Sequence, residues 1–430
     1  MSVHDFLPRA GKGPARDRIP PFRLPGEHFA AALGFLLAGA VLLVWVAPDV
    51  ALGLFPLPRV AAATHLFTLG WLTTSIMGAL YQFLPVSLGE PIRWRRLAEA
   101  TFWLHVPGVA LFVAGLLGSW PVVRTAGAGL FGTALLLFAL NLAATLRRAE
   151  KRNLTWWALA AAAAYLVVTV VLGVTLALNL DRGFLGQRRF LALGVHIHVA
   201  AIGWVFLVVI GVARRLLPMF LLSHAKSERW IQAAVGLVAG GVAWLVAFHH
   251  AGGLVAVLPA SLLAGGGAAA FLVHAARLYY GRSKPKLDPG MRLVAAALAF
   301  QALALALAPV ALWRGYADPR TAVAYVSALI LGGLSLFVAG HYYKIIPFLT
   351  WFHHFGPLAG TRPLPKVLDL YHERTGDVAG TLLATGVLGL VVATLAGAPA
   401  SAARGAALLF AVGAAILAAQ MYAVSRRRPQ

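Results

Sequence analysis

Apolar residues gather into runs, and polar residues gather into short breaks between them. The runs lie at about 29–47, 60–86, 100–119, 122–146, 155–179 and 190–221, then at about 230–250, 254–280, 292–313, 320–346, 380–397 and 402–424. Each is near the ~20 residues that a helix needs to cross ~30 Å of hydrocarbon. They are apolar on nearly every face, as suits helices whose surroundings are lipid and one another. Glycine and proline inside them are tolerable, because neighbouring helices re-satisfy the backbone. The pattern predicts an all-α integral membrane protein of twelve transmembrane helices. Residues 1–28 read as a cytoplasmic N-terminal segment and 29–430 as a single membrane domain. The stretch 347–379, with Trp351, Phe352, His353, His354 and Phe355, reads as an interfacial amphipathic segment.

Composition agrees: 60% of the residues are hydrophobic and the mean hydropathy is +0.80. That exceeds the ~45–50% apolar content of soluble domains. The net charge of +22 would suggest nucleic acid in a soluble protein. Here the cations sit in loops between apolar runs, where they report topology and lipid contact instead. With each cation assigned to its nearest loop, 28 of the 36 Lys and Arg residues fall on the side that holds both termini. That bias predicts cytoplasmic termini and a cell (inner) membrane location, with membrane lipids as partners. No cleavable signal peptide is visible in the polar first 27 residues. All 14 acidic residues lie outside the runs or at their edges, which argues against proton pumping and against an ion-coupled carrier. The chain has no cysteine, which excludes disulfides, thiolate metal sites and covalent c-type haem.

Three runs share a frame. His65, Gly70, Trp71, Leu84 and Pro85 in run 2 match His198, Gly203, Trp204, Leu217 and Pro218 in run 6. Run 10 fits without the histidine, through Ser327, Gly332, Ile346 and Pro347. Runs 2, 6 and 10 are four apart, which implies three four-helix repeats (about 29–146, 155–280 and 292–424) around a pseudo-threefold axis.

Histidine is the ligand type inside the runs that best suits a metal ion or haem. Under this topology His65, His196 and His198 lie in the outer half, and His249 and His250 end run 7 on the same side. Neutral imidazole is cheap to bury and is a common ligand for haem iron and copper. His196 and His198 stand about 200° apart on a helix, so one helix could serve two sites. A membrane histidine can also serve only to join helices. Trp71 and Trp204 could line a macrocycle or pack as core. His105, His224, His274, His341, His353 and His354 fall towards the cytoplasmic side and read as interface residues.

Gly194-Val195-His196-Ile197-His198 followed by Gly203, Trp204 and Pro218, on a twelve-span frame, resembles subunit I of the haem–copper oxidases, closest to the cbb-type and nitric-oxide-reductase branch. The resemblance implies that His65 is a ligand of the low-spin haem and that His198, His249 and His250 hold a copper ion. It extends haem ligation to His196 and implies haem b and copper as cofactors. Other respiratory subunits or a cytochrome electron donor would be partners. Run 10 departs from that family: Tyr325, Val326 and Ser327 stand where the family has its His-x-His. The family's redox tyrosine and proton-delivery acids have no counterpart either. A second arrangement, a bis-histidine haem held by His65 and His198, follows from the repeat. The expected function is membrane haem binding in respiratory electron transfer or oxygen and nitric oxide chemistry; as an enzyme it would be an oxidoreductase of that type, with no catalytic residue assignable. A haem-free copper protein and a small-molecule transporter are the alternatives.

Overall fold

The computed structural model describes residues 21–224, 227–251, 253–315 and 318–429. Most of the N-terminal segment, residues 1–20, lies outside the described residues. Among the described residues, twelve helices are long and apolar enough to cross a membrane, so the chain reads as a multi-pass membrane protein. In chain order they are α1 (Arg23–Ala51), α2 (Pro58–Leu88), α3 (Arg95–Leu117), α4 (Pro121–Arg148), α5 (Leu154–Arg182) and α6 (Arg188–Leu221). They continue with α7 (Arg229–Ala251), α8 (Gly253–Tyr280), α9 (Pro289–Arg314), α10 (Pro319–Leu358), α11 (Glu373–Ala396) and α12 (Ala400–Ser425).

Local chemistry sets several of the ends. Pro58, Pro121, Pro289 and Pro319 open their helices, where the missing N–H costs nothing. The Asn153 and Asp288 side chains cap α5 and α9, accepting from the Trp156 and Met291 amides at 3.1 and 3.2 Å. Gly183 and Gly397 close α5 and α11 in the left-handed conformation (φ 65° and 60°) that a side chain would oppose.

Two boundaries differ from the hydropathy reading. Helix α1 already includes residues 23–28, because a helix keeps its backbone bonds past the apolar run. Helix α10 runs 40 residues to Leu358, so 347–358 extend it rather than open a separate segment. Pro85, Pro218 and Pro347 lie inside their helices instead of ending them.

The helices divide into two compact units interleaved along the chain. Unit 1 holds residues 1–28, 76–115 and 120–284, and unit 2 holds 29–75, 116–119 and 285–430. Within each, helix hairpins approach through glycine. A methyl group on Gly127 would come under 3.0 Å from the Phe112 backbone, one on Gly241 from that of Ala264, and one on Gly386 from that of Phe410. Backbones that close suit a lipid setting, where association relies on tight packing.

Helices α2, α6 and α10 share a further feature. Each widens into a π-helix of eight residues: Leu66–Thr73, Val199–Phe206 and Ala328–Ser335. The residue before each segment is His65, His198 or Ser327, and the fifth residue within it is Gly70, Gly203 or Gly332. Each of these glycines faces an aromatic ring of the preceding helix. A methyl on Gly70 would meet Phe35, one on Gly203 would meet Tyr165 and one on Gly332 would meet Phe300, all at 3.0 Å or closer. The wider π turn and the bare glycine together admit the ring.

Candidate functional site

His65 is the last α-helical residue of α2 before the π turn, and its Nδ1 faces the Ala61 carbonyl at 2.7 Å. His198 stands likewise in α6, with Nδ1 2.8 Å from the Gly194 carbonyl. A carbonyl only accepts, so Nδ1 carries the proton in both. Nε2 then holds the lone pair, the tautomer a metal-binding imidazole needs.

That bond is not distinctive by itself. His28 and His341 make it too, to Leu24 and Phe337, each at 2.8 Å. What separates the pairs is surroundings. His28 is 0% exposed and His341 5%, whereas His65 and His198 are half-buried. Around His65 on α2 the half-buried positions are Ala61, Thr64, His65, Thr68 and Leu69, one helical face, while Leu66, Phe67, Gly70 and Trp71 are sealed. The Thr64 and Thr68 hydroxyls turn back to the carbonyls of Val60 and Thr64 at 2.9 and 3.0 Å. Only their methyls remain outward, so the face around His65 is apolar. An apolar face that carries one imidazole has the chemistry a haem macrocycle and its iron need.

The remaining histidines are placed differently. His196 packs towards α5, where a methyl on Gly173 would lie 3.0 Å from its Cε1. His249 and His250 form a one-turn helix at the end of α7, their rings 3.7 Å apart, with His249 half-buried and His250 exposed. His249 Nδ1 faces the Val246 carbonyl at 2.7 Å. Among the described residues, no three of His, Cys, Asp or Glu gather into a group that could hold a metal ion. The set His198, His249 and His250 is therefore not assembled, and these residues do not fit a three-imidazole copper centre. His65 belongs to unit 2 and His198 to unit 1.

Several sequence expectations change on burial. Trp71 and Trp204 are 0% and 2% exposed. Trp71 packs on Tyr342 at 4.8 Å and Trp204 on Phe138 at 6.0 Å, so both are core. His105, His274 and His341 are 1%, 6% and 5% exposed and so are not interface residues, because flanking helices cover them.

The sequence reading missed an ion pair inside unit 2. The Lys344 ammonium of α10 donates to Asp288, and their side chains are 9% and 2% exposed. Asp288 also caps α9. Arg292 grips Asp377 with two bonds of 2.9 and 2.8 Å beside it. The Tyr343 and Tyr371 rings stand 5.4 Å apart, and both hydroxyls are buried without a partner. Burial, with Asp288 and Glu373 adding to it, raises the Tyr371 phenol above its ordinary pKa and keeps it neutral. Asp288-Pro289 is a readable cap signal, but hydropathy could not reveal that a residue at a span's edge would be enclosed. No family model and no curated protein matches this chain.

Proposed function

We propose that this chain is a membrane haem protein built like subunit I of the haem–copper oxidases, with His65 and His198 as the residues that would hold haem. The observation that carries this reading is the matched setting of the two imidazoles. Each directly precedes a π turn, each has Nδ1 against the carbonyl four residues back, and each lies on a half-buried face. A haem b held by such an imidazole would supply one-electron redox chemistry. The protein's part is to fix the imidazole tautomer, offer an apolar bed and keep water away.

The shared π turns, ring-facing glycines and helix hairpins support three four-helix repeats around a pseudo-threefold axis. Both termini then face the cytoplasm, and the physiological role is respiratory electron transfer or gas-ligand chemistry. Copper drops out of the reading, because its three-histidine set is not gathered.

An optical spectrum and haem assay of the purified protein test the proposal. The expected result is a Soret band that sharpens on reduction, with haem approaching one or more per chain. Protein purified from haem-replete cells without a Soret band overturns it.

A further inference from the structure

We infer that the C-terminal end of unit 2 binds the phosphate of an acidic phospholipid, between the arginines after α12 and the extension of α10; this is independent of the haem reading. At 40 residues, α10 spans about 60 Å, roughly twice the ~30 Å of hydrocarbon. Its last turns therefore reach headgroup level. They form a π turn at Trp351–Phe355 and then a short 3₁₀ turn at Gly356–Leu358. Arg426, Arg427 and Arg428 follow α12, and Arg427 and Arg428 meet this extension at His354. The Arg428 guanidinium lies 2.7 Å from His354 Nδ1. The same Nδ1 lies 3.0 Å from the Arg427 carbonyl, so the ring sits against both the guanidinium and the backbone of the arginine segment.

The three arginines are exposed. Among the described residues no carboxylate lies within ion-pair distance of them. The nearby acids of unit 2 are engaged elsewhere: Asp377 by Arg292, Glu373 by Lys286 and Asp369 by the Lys366 amide. One turn before Arg426, Tyr422 is 64% exposed, the amphipathic ring expected at the boundary between acyl chains and headgroups. Fixed positive charge beneath such a ring, at the end of a membrane helix, matches an anionic headgroup whose chains run up the apolar helix surface.

The test compares wild type with R426Q/R427Q/R428Q in nanodiscs of phosphatidylcholine, with and without phosphatidylglycerol. Bound lipid is read by native mass spectrometry and the unfolding midpoint by thermal melting. A control, R93Q/R95Q/R96Q, removes equal charge from unit 1. Wild type and the control should retain phosphatidylglycerol and gain a higher midpoint from it. The arginine variant should bind it about fivefold more weakly per arginine, on the order of a hundredfold in all. H354Q, which spares every arginine, should weaken it by a smaller factor. Equal lipid retention by the arginine variant and wild type overturns the proposal. So does equal loss in the control, which would indicate diffuse surface charge. So does equal protection by inorganic phosphate in pure phosphatidylcholine, which would indicate a free-anion site.

Discussion

Helices α2 and α6 differ from α10 at one position of a shared frame. All three carry an eight-residue π turn with glycine fifth in it and an aromatic ring against that glycine. In front of the turn stand His65 and His198 in two of them, and Ser327, 8% exposed, in the third. The backbone device therefore forms without an imidazole. What the fold requires is the glycine and the ring, so the histidines answer to something other than folding. In α10 the polar weight lies elsewhere: Ser335 and Tyr342 sit in the interior, and Lys344 pairs with Asp288 near the other end. One helical frame thus holds an imidazole in two copies and a charged anchor in the third.

The largest expected effect concerns that anchor. Lys344→Met leaves the Asp288 carboxylate buried without its ammonium partner, and should cost about 3–5 kcal/mol of stability in detergent unfolding. Adding Asp288→Asn should recover much of the loss. A Lys344→Met variant as stable as wild type would mean the pair is solvated. Next come the glycines. Gly70→Ala and Gly332→Ala should each cost about 1–3 kcal/mol, because Phe35 and Phe300 must shift. Indifference at either position would break the common frame. Gly173→Ala is smaller and local: it presses on the His196 ring and should leave a haem spectrum unchanged if His196 is no ligand. The smallest effect is at Asp318, just ahead of α10. Bonds from Thr321 and Arg314 hold its carboxyl down at about 2, against an ordinary 3.8. Its lowered pKa favours the folded state above pH 3.8, and that contribution fades as pH falls towards 2. Asp318→Asn should therefore lower the melting temperature slightly at neutral pH and flatten its acid dependence, as a pH series of melts would record.

Much of this was legible from residue order. Hydropathy located twelve spans because a lipid-facing helix advertises itself at every turn. The frame linking His65, His198 and Ser327 was readable because Gly, Trp and Pro recur at fixed offsets. The π turns were not, since nothing in Leu66–Thr73 or Ala328–Ser335 differs in composition from an α-helix; the ring of the preceding helix, distant in sequence, selects them. Burial of Asp288, His105 and His341 was hidden for a similar reason. Each looks like a boundary residue in one dimension and becomes core only when other helices cover it. The copper set drew on His249 and His250 as neighbours in sequence, yet their one-turn helix at the end of α7 leaves His250 exposed rather than gathered with His198.

The most direct measurement is the reduced-minus-oxidised spectrum and haem content of His65→Ala, His198→Ala and Ser327→Ala, purified side by side with wild type. The account predicts that the two histidine variants lose haem or its six-coordinate signature, while Ser327→Ala keeps the wild-type spectrum. Full haem content and an unchanged spectrum in both histidine variants would contradict it.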